Sequence, residues 1–217
     1  MTSPTFVLVR HARTAWNRQN RFNSTVDLPL DEDGSLAARD LAESLALLEA
    51  PIVTSPARRA RDTAGPLVAA SGQSVEIDHR LAEVSFGRFE GATPTSLAED
   101  AAFASWKAGH EVPVEPQVGE DPALPPPEPL PVAGRRLLAF FEDAQERFAT
   151  RQTVMVVGHG VALRVLVCVG VLGLPAVAYR RLRLDNAHAA VVSPIADAAG
   201  YRLAAWNVPP SAVAALM

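Results

Sequence analysis

The stretch that decides the fold is LVRHARTAWN, residues 8–17. It lies in an apolar run that starts at Phe6 and turns abruptly polar at Arg10 and His11. A short, β-branched run that is apolar on both faces is typical of a strand buried in a parallel sheet. A buried charge is costly without a partner, so this strand end predicts either exposure to solvent or a nearby anion.

The same strand pattern recurs along the chain and alternates with amphipathic helices. This alternation predicts an α/β fold of three layers, α/β/α, around a mostly parallel central sheet. The last two strands look like an edge pair of that sheet. Strands are predicted over 5–11, 51–55, 74–81, 153–160, 187–195 and 201–207, and helices over 31–50, 56–72 and 161–173.

Chemically active side chains follow several of these strands. Arg10 and His11 end the first, Ser55 the second and His159 the fourth, while Glu83 comes shortly after the third. In open α/β sheets, ligands bind outside the carboxyl ends of the strands. The spacing therefore predicts that these segments meet in one crevice.

Composition narrows the class of protein. The 217 residues are 48% hydrophobic and carry a net charge of −4, which predicts one domain over 1–217 and argues against nucleic-acid binding. The single cysteine, Cys168, excludes an internal disulfide and sits in an apolar run typical of an inert buried thiol. The most apolar stretch, 154–174, is interrupted by His159 and predicts a buried strand and helix instead of a membrane span. With no signal peptide recognisable, we expect a cytoplasmic protein.

Residues 109–131 differ in kind from the rest of the domain. They are rich in proline and acidic residues and show no apolar period. We predict an irregular flap there, near the mouth of the crevice.

Three arginines open the predicted helix 56–72: Arg58, Arg59 and Arg61. Cations at a helix N-terminus are locally unfavourable unless an anion is bound there. Such arginines could also lie on a solvent-exposed helix face without any function. A single histidine such as His11 or His159 could also be a buried residue whose hydrogen bonds are formed within the protein. The argument for a site is that all of these groups fall at one edge of the sheet.

Six segments, taken together, resemble one known family. LVRHARTAWN resembles the signature of the histidine phosphatase superfamily, in the branch that includes the cofactor-dependent phosphoglycerate mutases. TSPARRARDTA (54–64) is similar to its Ser-Pro-x-x-Arg-Ala-x-x-Thr-Ala element, and VVGHGVALR (156–164) to its second histidine block. The segments NRFNSTVDLPLDEDG (20–34), LAEVSFGRFEG (81–91) and LDNAH (184–188) resemble further elements, in family order.

The resemblance implies a phosphoryl site and a role for each residue. His11 is the expected nucleophile, forming a phosphohistidine, and Glu83 the general acid and base. Arg10, Arg59 and His159 are expected to hold the phosphoryl oxygens, with Arg59 chosen over Arg58 by the alignment. The expected substrate contacts are Asn17, Asn23, Ser24, Gly160 and Arg13, and no metal or cofactor is implied.

Arg13 departs most sharply from the family pattern, which has an acid or amide there. Ala12 likewise stands where glycine is usual, and Asn23-Ser24 replaces Gln-Gly. Arg13 is either an extra cation that recruits a second anionic group or a surface arginine paired with Asp27 or Asp31.

The predicted activity is metal-independent hydrolysis of a small phosphorylated metabolite. Mutases of this family keep a basic residue and a tyrosine just after the glutamate to hold the far end of the substrate. Here Val84, Ser85 and Phe86 follow Glu83, which favours a phosphatase over a mutase. A non-catalytic phosphate-binding regulator is a third possibility. The identity of the substrate and the oligomeric state are not readable from the sequence.

Overall fold

Six strands form one sheet in the computed structural model, which describes residues 3–111, 124–196 and 198–217. The strands are β1 (Thr5–Arg10), β2 (Ile52–Thr54), β3 (Val75–Ile77), β4 (Thr153–Gly158), β5 (Ala189–Pro194) and β6 (Tyr201–Val208). Their order across the sheet is β3-β2-β4-β1-β5-β6. All six predicted strands are confirmed, although β3 ends at Ile77, four residues before the predicted end.

The sheet is mixed but mostly parallel. Strand β4 pairs in parallel with β1 and β2, and β2 pairs in parallel with β3. Strand β5 is antiparallel to β1, and β6 is antiparallel to β5 at the sheet edge. The predicted parallel sheet with a late edge pair is therefore confirmed.

Helices cover both faces of this sheet, because the strands are apolar on both sides. Phe6 and Leu8 of β1 pack into one apolar cluster, and Val7 and Val9 into a second cluster on the opposite face. This alternation follows from the two-residue period of a strand. The helices are α1 (Ala15–Arg18), α2 (Glu32–Leu45), α3 (Arg58–Ser71), α4 (Ala101–Lys107), α5 (Leu130–Arg147), α6 (Gly160–Gly170) and α7 (Pro210–Val213).

The two apolar clusters identify the helices of the two outer layers. Side chains of α5 and α6 belong to the first cluster, and those of α2 and α3 belong to the second. The α/β/α prediction is confirmed. Short 3-10 helices complete the described chain at Ala46–Leu48, His79–Leu81, Gly87–Phe89, Ala176–Arg181 and Ala214–Leu216.

The proline-rich stretch predicted as a flap over 109–131 needs one correction. Leu130 and Pro131 begin helix α5, and Leu130 is fully buried. Proline is accepted in a first helical turn because the N–H groups there have no partner within the helix. Residues 112–123, the larger part of the predicted flap, lie outside the described residues.

The most apolar stretch of the chain divides into β4 and α6, with His159 between them. Within the described ranges, no helix is both long and apolar enough to cross a bilayer. Cys168 lies buried in α6, where burial raises the pKa of its thiol.

Candidate active site

A cavity of about 360 Å³ opens at the carboxyl edge of the parallel strands. It forms there because Arg10 ends β1 and Gly158 ends β4, two strands that pair directly. Six of the ten residues predicted for the site line it: Arg10, His11, Asn17, Asn23, Glu83 and Gly160. The convergence of distant segments in one crevice, predicted from the strand ends, is thus seen in the structure.

His11 is buried at the base of this cavity, and its imidazole has a defined orientation. Its Nδ1 lies 2.7 Å from the backbone oxygen of Ala12. A carbonyl oxygen only accepts, so Nδ1 carries the proton and Nε2 keeps its lone pair. Burial, followed by the charges of Arg59 and Arg10, holds the pKa of His11 well below its usual value. The imidazole is therefore neutral and has Nε2 free to act as a nucleophile.

The loop after His11 is tied to helix α3. The N–H of Ala12 donates to Thr63 Oγ1 over 2.9 Å, and Thr63 Oγ1 donates to the backbone oxygen of Arg59 over 2.6 Å. Ala12 is fully buried and is not among the described residues with positive φ. The backbone here does not require glycine, which explains how alanine is accommodated.

Two guanidinium groups flank His11: Arg59 is fully buried and Arg10 is half-buried. Arg10 Nη1 donates to the Leu184 carbonyl over 2.7 Å, and Arg59 Nη2 donates to those of Asn23 and Ser24 over 3.3 and 3.2 Å. In the described part of the chain neither group forms a salt bridge, and both Nε atoms lack a partner. Burial, and after it the charge of Arg164, lowers the pKa of Arg10 to about 10. Burial also lowers the pKa of Arg59. The charge of Glu83 acts on both groups, but cations held out of water without a salt bridge indicate a site that an anion completes.

The choice of Arg59 over its neighbours agrees with the geometry. Arg59 is fully buried, whereas Arg58 and Arg61 are exposed. Arg58 Nε pairs with Asp62 one turn along the helix, at 3.3 Å. Successive residues of a helix point about 100° apart, so one of the three faces the site.

Glu83 lies at the edge of the cavity, held by the start of helix α6. Its carboxylate accepts from the N–H groups of Val161 and Ala162 over 3.1 and 2.8 Å, and from that of Val84 over 2.9 Å. The unpaired N–H groups of a helix N-terminus are natural partners for a carboxylate. Three bonds fix the carboxyl group in place beside Arg10 and His11.

Gly160, the first residue of α6, permits the close approach of Arg10. A Cβ atom at this position would lie 3.1 Å from Arg10 Nε and 3.2 Å from Arg10 Cζ. Any larger side chain would displace the guanidinium. The contribution of Gly160 is thus its lack of a side chain, which leaves room for the Arg10 guanidinium.

His159 directly follows β4, and its ring packs against that of His11 with the ring centroids 5.2 Å apart. Its Nε2 lies 2.7 Å from Ser55 Oγ, and its Nδ1 has no hydrogen-bond partner among the residues that the structure describes. Burial and then the charge of Arg59 hold the pKa of His159 well below its usual value. His159 is therefore a neutral, buried ring with one unused nitrogen.

Three polar side chains predicted to contact the substrate differ in how many hydrogen bonds they already form within the protein. Asn17 Oδ1 accepts from Thr14 N–H and from Asn186 Nδ2, over 3.0 and 3.2 Å. Asn23 is buried, and neither Oδ1 nor Nδ2 of its side chain has a hydrogen-bond partner in the described chain. Ser24 lies outside this cavity; its hydroxyl donates to Glu90, and its backbone N–H does so over 2.8 Å. Asn23 is thus the amide most available to a ligand.

Arg13, predicted as a substrate contact, does not line the cavity. Its Nε donates to Asp31 over 2.8 Å, and its Nη2 contacts Asp33. Both carboxylates belong to the start of helix α2, which packs so closely that a Cβ atom on Gly34 would lie 2.1 Å from the Arg13 oxygen. The pair with Asp31 agrees with the second of the two alternatives for Arg13, a surface arginine paired with a nearby carboxylate.

Sequence reasoning missed several residues that line the cavity. Arg164 is the most informative: its Nε donates to the Gly160 oxygen over 2.6 Å and its guanidinium lies 5.0 Å from the Tyr179 ring centroid. Its spacing of four residues from Gly160 on one helix was the available signal. The others are Asn20, Arg21, Phe22, Phe86, Pro94, Val161 and Asn186.

A family model with the description histidine phosphatase superfamily, branch 1, matches residues 6–209. The chain belongs to this superfamily. The matched region runs from β1 to just beyond β6 and includes every segment that meets at the cavity. The predicted resemblance is confirmed.

Relatives of this histidine phosphatase superfamily member carry mutase names. It is 31% identical over 184 residues to the 2,3-bisphosphoglycerate-dependent phosphoglycerate mutase of Bifidobacterium longum, with 74% of each chain covered. It is 34% identical over 180 residues to the probable phosphoglycerate mutase GpmB of Klebsiella pneumoniae, covering 82% of this chain and 80% of the relative.

Solved structures similar to it carry hydrolase names. Mycobacterial hydrolase 1 superposes with a TM-score of 0.79 at 25% identity, covering 95% of this chain and 100% of that one. A mycobacterial glucosyl-3-phosphoglycerate phosphatase complexed with VO3 has a TM-score of 0.78 at 27% identity, with the same coverage. Membership of the superfamily therefore leaves the choice between hydrolysis and transfer open.

Proposed function

We propose that the protein is a metal-independent phosphomonoesterase of the cytoplasm, acting on a small phosphorylated metabolite through a phosphohistidine at His11. The observation that carries this proposal is the neutral, buried imidazole of His11 beside the guanidinium groups of Arg10 and Arg59, neither of which forms a salt bridge within the described residues. A phosphoryl group supplies the missing negative charge, and the Arg10 and Arg59 guanidinium groups match its oxygens.

Two chemical steps follow from this arrangement. In the first, His11 Nε2 attacks phosphorus, the bond from phosphorus to the ester oxygen breaks, and Glu83 gives a proton to the departing alkoxide. In the second, water attacks the phosphorus of the phosphohistidine and gives a proton to Glu83. The bond from phosphorus to His11 Nε2 breaks, which releases phosphate and restores the neutral imidazole. Arg10 and Arg59 stabilise charge on the transferring oxygens throughout.

The wall after Glu83 supports hydrolysis over transfer. Val84 and Phe86 are buried and apolar, and the hydroxyl of Ser85 donates to the Pro126 carbonyl over 2.9 Å. This wall offers no cation to hold a second anionic group of a bisphosphorylated intermediate. Phosphoryl transfer to a retained substrate needs such a group.

Phosphoglycerate mutase activity is the second candidate, and one structural observation favours it. Arg21 and Arg164 line the same cavity as Arg10, so cations do reach the site from elements other than the Glu83 wall. The mutase names of the relatives point the same way.

The decisive experiment compares the two activities in one preparation. Hydrolysis of a colour-forming phosphomonoester is expected with and without a chelator, and it is expected to fall at least about 1,000-fold in kcat in His11→Ala, since the covalent route is closed. Interconversion of phosphoglycerates is then assayed with and without the bisphosphate. Interconversion faster than hydrolysis would assign a mutase, and phosphate binding without turnover would assign a regulator. A panel of metabolite phosphates ranked by kcat/KM identifies the substrate.

A further inference from the structure

Ser55 and His159 are brought together by the register of two neighbouring strands. Thr54 of β2 lies opposite Val157 of β4, and the N–H of Ser55 donates to the Val157 oxygen over 3.0 Å. The residues that follow the two strands therefore lie side by side. Both Ser55 and His159 are fully buried, with Ser55 Oγ 2.7 Å from His159 Nε2.

The direction of this hydrogen bond follows from the other partners of Ser55. Its Oγ already accepts from the N–H of Ala57, over 3.3 Å. Among the described residues, His159 Nε2 is the one acceptor that the hydroxyl hydrogen reaches. If Nε2 carried the proton, that hydroxyl hydrogen would be buried without an acceptor, which is costly. Ser55 therefore donates, and Nε2 of His159 accepts.

We infer that Ser55 is a positioning residue of the phosphoryl site: by donating to His159 Nε2 it holds the proton of the neutral ring on Nδ1. This inference rests on the proposed function for its catalytic meaning. A neutral imidazole has one N–H donor, and which nitrogen carries it is set by the bond that the other nitrogen makes. Ser55 itself touches no reacting atom.

Other unpartnered atoms near His11 indicate where the Nδ1 proton is used. Within the described chain, the side-chain amide of Asn23 lacks a hydrogen-bond partner, and so do three buried nitrogens: Arg10 Nε, Arg59 Nε and His159 Nδ1. All three are nitrogens, and with the proton of His159 on Nδ1 all three are donors, so an anion with several acceptor oxygens satisfies them together. The lowered pKa of His159 supports a neutral ring. On this account His159 binds the phosphoryl group as a neutral donor and needs no imidazolium.

The tautomer is measured directly by NMR of protein containing 15N-labelled histidine, without substrate, at neutral pH. The signals of His159 are assigned with His159→Asn. We expect a protonated Nδ1 and an unprotonated Nε2 in the wild-type protein. A protonated Nε2, or a ring protonated on both nitrogens, would overturn the inference whatever the enzymatic activity. Failure of the proposed function would instead appear as absence of phosphomonoester turnover, which this measurement does not involve.

Variants of Ser55 test the consequence for binding of inorganic phosphate, followed by titration calorimetry. Ser55→Ala is expected to weaken binding about tenfold, the effect of one hydrogen bond, and to change the His159 tautomer. Ser55→Thr keeps the hydroxyl and is expected to restore both, since Ser55 borders a cavity of about 300 Å³. Ser71→Ala, which removes a hydroxyl bonded to Leu67 instead, is the matched control. An unchanged tautomer and phosphate affinity in folded Ser55→Ala would also overturn the inference, and if that variant does not fold, the wild-type spectrum decides.

Discussion

The guanidinium groups of Arg10 and Arg59 are the most unusual feature of the site, because one is half-buried, the other is fully buried, and neither forms a salt bridge in the described part of the chain. Such charges destabilise a folded chain unless an anion compensates them. A folded protein retains such destabilising charges where the compensating anion is its ligand. Phosphate, if it binds there, therefore also raises the stability of the folded protein through mass action.

Replacement of Arg59 tests this account of the buried charges. Arg59→Ala is expected to lower kcat/KM about 100-fold, corresponding to roughly 3 kcal/mol for a charge-assisted bond. Arg58→Ala is the matched control and is expected to leave kcat/KM unchanged, because Arg58 is exposed and pairs with Asp62. Kinetics on folded variants, verified by circular dichroism, are the measurement. The account fails if Arg58→Ala is the damaging change.

Arg13 is expected to behave in the opposite way from Arg59. Its guanidinium is engaged by Asp31 and Asp33 at the start of helix α2. Arg13→Gln should therefore leave kcat and KM unchanged for mono- and bisphosphorylated substrates at low and high ionic strength, and lower the melting temperature slightly. A rise in KM confined to substrates with a second negative charge would return Arg13 to the site.

Side-chain roles were readable from the sequence only where a motif fixes the register. Arg59 was separated from Arg58 in this way. For Arg13 the sequence left two roles open, one of which was the pairing with Asp31; the added contact with Asp33 follows from the packing of helix α2 against the His11 loop. Arg164 was missed although its spacing of four residues from Gly160 places both residues on one face of α6.

Helix α6 organises the site through its first turn. Its N–H groups at Val161 and Ala162 hold Glu83, and the absence of a side chain at Gly160 makes room for Arg10. One helix start thereby sets the distance between the predicted general acid and the predicted phosphate-binding arginine.

A Gly160→Ala substitution is expected to raise KM by about tenfold or more, because its Cβ displaces the Arg10 guanidinium and weakens a charge-assisted bond. Gly65→Ala in α3 is the control, since a Cβ there meets nothing within 4 Å. That control is expected to leave KM unchanged and to stabilise the protein by about 0.5–1 kcal/mol. Equal KM values in both variants would show that Arg10 does not depend on this space.

The strands were predictable as elements because their apolar runs are short and end in polar groups. The start of α5 at Leu130 was not, because prolines at 129 and 131 are typical of irregular chain and are tolerated in a first helical turn only. The order of the strands in the sheet depends on packing across the whole fold. The sequence therefore did not show that β2 and β4 are neighbours, or that Ser55 contacts His159.

Stability of the folded protein is expected to fall in mild acid. The pKa values of His11 and His159 lie well below the ordinary value of 6.5, chiefly through burial. Below that pH the unfolded chain binds more protons than the folded one, so the free energy of unfolding decreases as pH falls. Above pH 6.5 both states hold neutral rings and this loss is absent.

Denaturant unfolding at pH 7.5 and pH 5.5 measures this effect. The wild-type protein is expected to lose about 1.4 kcal/mol more per histidine over this interval than a His11→Asn, His159→Asn double variant. The difference between the two proteins cancels the contribution of the carboxylates. Identical losses would mean that the two rings have the same pKa values in the folded protein as in the unfolded chain.

Trapping of the phosphorylated enzyme tests the central claim most directly. The protein is mixed with a colour-forming phosphomonoester, quenched in alkali, where a phosphohistidine survives, and digested for mass spectrometry. A mass increase of one phosphoryl group is predicted on His11, retained in the control His79→Asn, whose histidine is exposed, and absent in His11→Asn. A phosphoryl group on another residue, or turnover by His11→Asn at the wild-type rate, would contradict the account.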